Sequence, residues 1–481
     1  MHKQLILRSS GPRLSTTAGS GLGIQPRVAN GLQKQSIPFS LRVLAVLLAL
    51  IPPTSGTLRG LLLPGLKVSE VIIVLVAAIL LLNWGGKWKV ADGVGLALLF
   101  FAFTSVVLTL VNYIDRPGLT NDAPIAMELA SIPQFFLLYL VAFAFGQQNI
   151  SPLIVLKWNL IFAAAVSIIA LAQLFDVGSV RAVLATLTGN QEILNPLAWK
   201  TYRASGTFVS WHALGMYLAV TLAFSIVALF KGFLNRSERN KTLALSIIVL
   251  CGLLSALTAT PILLAGVLLV FYSLRSKGIL YTPAFILISL AVVLATPLGS
   301  LFSERLDAQF SHSGEGIDWL PQTISYRLMV WRNDYLPIIE ENLLSGYGPL
   351  GSSDSGIFRY TESMYITLLM AGGVPLLLAY CCFTLVAFFK LRSISKIEGE
   401  SREASSIREI SRVLVLVILF LAGAQFLHPY LIDAGGSQLI YLALGLTLGA
   451  WHRQHRYVTP GTKSPSSVAI GRRDGEDNLL V

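Results

Sequence analysis

Apolar runs of about 20 residues, the length a helix needs to cross a bilayer, alternate along the chain with short polar connections. About twelve such runs are recognisable, ending near Pro52, Asn83, Val111, Gly146, Phe175, Phe230, Leu257, Leu274, Leu301, Leu391, Ile432 and Trp451. The pattern predicts an all-α, polytopic membrane helix bundle of about 12 transmembrane helices. The first two runs are the least sharply divided. Between them Gly56 to Gly65 is itself apolar and carries Pro64, which suits a re-entrant piece or a differently divided hairpin.

One long hydrophilic insertion interrupts this alternation, from about Ser303 to Thr361. It collects Arg305, His312, Glu315, Asp318, Arg327, Arg332 and Arg359, with Glu362 at its exit. The predicted organisation is therefore a basic tail over 1–36, transmembrane helices 1–9 over 37–302, a large periplasmic loop over 303–361, helices 10–12 over 362–451, and a second tail over 452–481. Inside the loop, Tyr326 to Glu341 has helical periodicity, with Leu328, Trp331, Tyr335, Ile338 and Ile339 on one broad face. Arg327 and Trp331 share that side, and Arg332 is turned away from it. Ser345-Gly-Tyr-Gly-Pro349 then breaks the helix. Such a turn either cradles phosphate with its amides or is simply a loop. Three further segments, Asn112 to Asp122, Asp176 to Ser205 and Thr258 to Pro261, fall on the same side; the second is long enough to contribute to a site, so Arg203 is expected at a helix mouth facing the large loop.

Composition agrees with the pattern. Of the 481 residues 54% are hydrophobic and 13% charged, too little polar surface for a soluble protein of this size. The net charge of +11 does not point to nucleic acid, because the basic residues sort by side. With the amino terminus inside, inner segments hold 26 Lys and Arg and outer ones 10, which is the positive-inside bias and places both termini in the cytoplasm. Cys251, Cys381 and Cys382 all fall in apolar runs, so neither a disulfide framework nor a zinc site is expected. The first 36 residues are basic and lack acids. They suit a disordered cytoplasmic tail better than a targeting peptide, since no clear cleavage site follows Phe39 to Ile51.

The candidate chemistry lies on the outer side. Arg203, Arg305, Arg327 and Arg332 suit an anionic substrate such as a lipid pyrophosphate, because a guanidinium makes paired, charge-assisted hydrogen bonds to phosphate oxygens. The competing reading of each is an interfacial arginine among lipid headgroups. Glu362, at the outer end of a helix, is a candidate general base, or an acid placed favourably for the helix dipole. His312, in Phe310-Ser-His-Ser-Gly314, is the second candidate base. His212 and His428 read as polar residues satisfied within the bundle. His312, Glu315 and Asp318 lack metal-ligand spacing, and no metal or cofactor is expected.

The segments Arg203-Ala-Ser-Gly-Thr-Phe208, Arg327-Leu-Met-Val-Trp331, Asn342-Leu-Leu-Ser-Gly346-Tyr-Gly348 and Thr361-Glu-Ser-Met-Tyr365 before Ala371-Gly-Gly-Val-Pro375 carry a resemblance. In their order and topology, over roughly residues 40 to 450, the chain resembles the bacterial O-antigen polymerase and O-antigen ligase superfamily. The resemblance implies a membrane glycosyltransferase of the bacterial inner membrane that uses glycans linked to undecaprenyl pyrophosphate, with neither nucleotide sugar nor metal. Arginines would hold the pyrophosphate while a base deprotonates an acceptor hydroxyl. It also implies membrane lipids as surroundings, and chain-length regulators or flippases as possible partners. Ligases of the superfamily usually carry a histidine where this chain has Thr361-Glu362-Ser363, which favours polymerisation of repeat units over ligation to a lipid or protein acceptor.

A transporter or flippase of lipid-linked sugars is the reading from another class. It would place ionisable groups at the bilayer midplane and show an internal repeat. Here Glu70 and Glu128 lie near span ends, Lys157 and His428 within apolar runs, and no repeat is apparent. The topology is testable with single cysteines in a background lacking the native three. A cysteine at Ser311 is expected to react with an impermeant reagent in spheroplasts and one at Ser405 to stay protected; the reverse pattern removes the outer loop.

Overall fold

The computed structural model describes residues 38–57, 67–84, 92–115, 125–148, 150–195, 203–231, 234–275, 322–348, 361–397 and 401–456, with a few isolated positions between 287 and 307. All regular elements among them are helical. In chain order they are α1 (Phe39–Leu50), α2 (Val68–Trp84), α3 (Gly93–Asp115), α4 (Ile125–Ser131), α5 (Pro133–Gly146), α6 (Pro152–Leu174), α7 (Val180–Thr188), α8 (Trp211–Phe230), α9 (Arg236–Ser255) and α10 (Ala259–Arg275). After the long insertion begins come α11 (Gln322–Val330), a π turn (Trp331–Tyr335), α12 (Leu336–Glu341), α13 (Met364–Lys396), α14 (Arg402–Ala424) and α15 (Gly436–Arg456). Among the described residues five helical stretches are long and apolar enough by themselves to cross a membrane: Gly93–Asp115, Leu129–Gly146, Pro152–Leu174, Trp211–Phe230 and Met364–Lys396. The chain is a membrane-integral helical protein. The run expected to end near Leu301 lies almost wholly outside the described residues.

Helices are what an apolar medium demands, since each satisfies its own backbone. Several hydroxyls inside them obey the same rule. Ser167 donates to the Ala163 carbonyl at 2.8 Å, Ser411 to Ile407 at 2.8 Å and Thr447 to Ala443 at 2.6 Å, so none needs water. α8 is the axis of the bundle: each residue from Ala213 to Val227 is buried, and α6, α9, α10, α14 and α15 pack around it. An all-round apolar helix has no other place to go.

α5 and α15 cross closely. Gly445 and Gly449, one turn apart, face α5, where a Cβ at Gly445 would meet the Tyr139 carbonyl and one at Gly449 the Phe143 carbonyl. Gly146 of α5 is reciprocally pressed on the Leu446 carbonyl. Small residues at this spacing let two backbones touch.

Contacts between connections fall into two groups at opposite ends of the bundle. At one end Thr207 Oγ1 donates to the Pro53 carbonyl (2.8 Å), Ala204 N to Ser255 O (3.1 Å) and Asn112 Nδ2 to Ser345 O (2.7 Å). We call this the outer end. At the other, the inner end, Lys157 pairs with Glu238 (3.0 Å) and Lys231 with Glu409 (3.7 Å), and Arg453 reaches the Gly146 and Ile150 carbonyls and Glu403. Lys157, expected within an apolar run, thus sits near the start of α6 with its charge at the inner end. His428 is likewise displaced from its expected position. α14 stops at Ala424, because Gln425 to Gly435 leave the helix as an outer connection, and the apolar run to Ile432 overstates the span.

Gly449→Val and Gly445→Val are expected to destabilise the detergent-solubilised protein by overpacking, about 1–3 kcal/mol each. Gly423→Val, at a helix position with nothing within 4 Å of the added carbon, is the control. Thermal unfolding of the three variants checks it; equal melting temperatures would remove the close crossing.

Candidate functional site

The outer end gathers its polar groups through a few buried fasteners. Gln173, wholly buried in α6, accepts the amides of Ser205 (3.0 Å) and Gly206 (2.7 Å) on Oε1 and donates to Ser205 Oγ (3.2 Å). With the bonds to Ser255 and Pro53, this clamps the stretch 203–208 to three separate parts of the bundle. Ser210 then caps α8 by accepting from Ala213 N (3.1 Å). The fixed segment aims Arg203 across the face of Trp211, with the guanidinium carbon 4.9 Å from the ring centroid, a cation–π distance.

Next to Trp211, His212 stacks on His428 with centroids 4.1 Å apart. His428 Nε2 lies 3.0 Å from Asp433 Oδ2, which also accepts from Ser210 Oγ at 3.2 Å. Tyr430 packs on His428 at 4.7 Å and is hydrogen-bonded by Thr260. Burial, with the Asp433 charge adding to it, holds its phenol above the ordinary range, while the nearby Arg327 charge opposes the shift. His212 Nδ1 is buried with no hydrogen-bond partner among the described residues. His428 is thus buried and hydrogen-bonded, as expected of a polar residue within the bundle, while His212 keeps an unpartnered nitrogen; both sit at the outer end.

The second half of the site comes from the long insertion and α13. α11, the π turn and α12 run as one continuous helical stretch. Tyr335 and Ile339 are buried against Ile366 and Met370, with Trp331 and Ile338 beside them. Leu328, expected on that face, is 42% exposed, because the π turn widens the helix and shifts the face. Trp331 Nε1 donates to the Thr361 carbonyl at 2.9 Å. One turn earlier, Arg327 forms an ion pair with Glu362 through Nε and Oε2. Glu362 has φ +53°, a left-handed conformation unusual for a side-chain-bearing residue. Ser363 and Met364 beyond it are held by the Gln425 carbonyl. Arg327 also acts electrostatically on both His212 and Tyr430, so the two halves face one cluster.

The glycine turn is engaged elsewhere. α13 breaks at Gly372 and Gly373, the latter at φ +62°, and the segment 342–348 hooks into the break. Tyr347 N donates to Met370 O (2.6 Å), Gly348 N to Ala371 O (3.2 Å) and Gly346 N to Asn342 O (2.9 Å), while Val374 N donates to Leu343 O (2.7 Å). These amides serve the fold and are not available to cradle a phosphate.

Of the sequence candidates, Arg203, Arg327 and Glu362 line the same end. Arg332, next to Trp331, is exposed. Arg305 and His312 lie outside the described residues. Sequence reasoning missed Trp211, His428, Tyr430, Asp433 and the clamp Gln173. The only available signal was a cluster of polar and aromatic residues, His428-Pro-Tyr430 and Asp433, at the close of an apolar run.

Residues 242–381 match the family model described as O-Antigen ligase, and no curated protein matched the chain. The matched segment contains Arg327, Trp331 and Glu362 and bears out the resemblance to the O-antigen ligase and polymerase superfamily. Glycan transfer of that general type, by a membrane enzyme acting on lipid-linked glycans, is what the match supports.

Trp331→Phe keeps the aromatic packing and removes the bond to Thr361. It is expected to cost about 1 kcal/mol of stability and to lower glycan transfer at normal expression, because Arg327 loses its register with Glu362. Unchanged transfer would show that the bond holds nothing of consequence.

Proposed function

We propose that this protein polymerises undecaprenyl-pyrophosphate-linked oligosaccharide repeat units on the periplasmic face of the bacterial inner membrane. In this reading twelve spans leave both termini in the cytoplasm. The observation that carries the proposal is the Arg327–Glu362 pair, within the family match, facing the outer cluster that also receives Arg203.

In the proposed reaction an acceptor hydroxyl attacks the anomeric carbon of the donor glycan. The bond from that carbon to the pyrophosphate oxygen breaks, and the pyrophosphate leaves on its lipid. Arg203 and Arg327 bind the two phosphates and stabilise the charge that grows on the leaving oxygen, an effect strengthened where water is excluded. Arg305 and Arg332 of the insertion add to the field that attracts the donor. Phosphate oxygens compete with Glu362 for Arg327, so donor binding frees the carboxylate to accept the hydroxyl proton. The base is thus uncovered only when the donor is in place. His312, in the same insertion, is the other proton acceptor expected from sequence. Chain-length regulators and flippases are the partners such a reaction would have.

The ligase reading differs in the acceptor, a lipid or protein in place of a second repeat unit. The acidic residue at 362, where ligases usually have histidine, favours polymerisation. A transporter of lipid-linked sugars fits less well, since the ion pairs described here lie at the two ends of the bundle.

The deletion strain separates the three. Polymerase loss is expected to leave single repeat units on the carrier or surface acceptor. Full-length polymer accumulating on the carrier would show a ligase, and unchanged glycan with altered flipping a transporter. At normal expression Arg203→Ala and Arg327→Ala are expected to abolish polymer and the Lys variants to reduce it, since Lys keeps the charge but not the paired geometry. Wild-type polymer in both Ala variants would make these arginines interfacial anchors.

A further inference from the structure

The left-handed backbone of Glu362 persists only where its surroundings over-determine it. Its neighbours meet that condition. Thr361 is buried, gives its carbonyl to Trp331 and shares a hydroxyl–hydroxyl bond with Thr367 at 2.5 Å. Ser363 is wholly buried, and its carbonyl takes Thr367 N (2.9 Å) and Thr367 Oγ1 (2.7 Å). Apart from that of Trp331, these bonds stay within residues 361–367. They fix the shape of the segment and leave open where it stands in the bundle.

α13 does not settle that by itself. The break at Gly372 and Gly373 separates its opening, Met364 to Ala371, from the long body beyond, and a helix interrupted in this way does not carry the direction of one piece into the next. One residue joins the two. Gln425, wholly buried just past the end of α14, donates its backbone amide to Leu421 O (2.9 Å), accepts Met364 N of the opening on its carbonyl (2.8 Å), and accepts Tyr380 OH of the body on Oε1 (2.6 Å). Three pieces of helix thus meet at three polar groups of a single side chain and its backbone. The fourth group, Nε2, is buried without a hydrogen-bond partner among the described residues. A buried amide that leaves its donor unused stabilises a fold less than an apolar residue of the same shape, so stability does not account for an amide at this place.

We propose that Gln425, oriented by Tyr380, is a positioning residue for Glu362: by tying the opening of α13 to its body and to α14, it sets where the carboxylate stands against the outer cluster. This role rests on Glu362 being the base in the reaction proposed above.

Gln425→Met combined with Tyr380→Phe removes the side-chain joint, keeps both shapes and strands neither partner. The purified full-length protein is assayed with lipid-linked repeat units extracted from the deletion strain. kcat is expected to fall about tenfold or more, the scale of a misplaced reacting group, while the donor KM moves much less, because Arg203 is held separately by the Gln173 clamp. The melting temperature should equal that of the parent or exceed it. Tyr380→Phe alone, which leaves the amide in place without its orienting bond, should show a smaller loss of the same kind. Unchanged kcat would overturn the proposal, and so would a loss of kcat matched by a rise in KM or by a lower melting temperature, since a merely structural joint gives that result. Glu362→Gln is the separate arm. If it lowers transfer and the joint variants do not, the positioning role alone fails. If Glu362→Gln transfers at the wild-type rate, Glu362 is not the base, and the role of Gln425 falls with it.

Discussion

A helix that breaks inside an apolar bundle strands its carbonyls, and the surroundings must supply donors for them. The break in α13 at Gly372 and Gly373 is where this constraint shapes the outer end. Its carbonyls at Met370 and Ala371 take the amides of Tyr347 and Gly348, and the released amide of Val374 goes to Leu343. That exchange docks the segment 342–348, which in turn seats α12 and the π turn against Ile366 and Met370. Trp331 then meets Thr361 and Arg327 meets Glu362. The chemistry of the outer end is therefore positioned from a defect in a helix, and the glycines at the defect are there for their backbone. A Cβ at Gly373 would fall on the Leu343 carbonyl, and one at Gly346 on the Met370 carbonyl.

Much of this was legible in the chain. Apolar runs predicted the helices because burial in lipid and burial in protein both select for the same side chains. The period of residues 326–341 predicted a helix with Arg327 beside Trp331, and that relation holds. What the period did not contain was the π turn at Trp331–Tyr335, which adds a residue to one turn and moves Leu328 out of the packed face. Nor does hydropathy mark where a helix ends when its C-terminal connection is itself buried. His428 and Tyr430 are 2% exposed, so the run looks continuous although α14 has finished at Ala424. The glycine turn illustrates a different ambiguity. Free amides and engaged amides have the same sequence, and only the break in α13 at Gly372 tells them apart.

The two halves of the outer cluster reach it by different routes. Arg203, Ser210 and Asp433 are tied to α6, α8 and the connection before α15, through Gln173 and Ser210. Arg327 and Glu362 ride on the insertion and on α13, which Gln425 fastens to α14. These hydrogen bonds join residues 32, 62 and 223 positions apart, which is why neither local periodicity nor spacing could have assembled the site.

The bond between Trp331 and the Thr361 carbonyl spans 30 residues of chain, and Gly348 is pinned to Ala371. Both flanks of the stretch 349–360 are thereby fixed to the same scaffold. The spacing of Arg327 and Glu362 is therefore set at these pins, by bonds that lie on either side of positions 349–360 and do not pass through them.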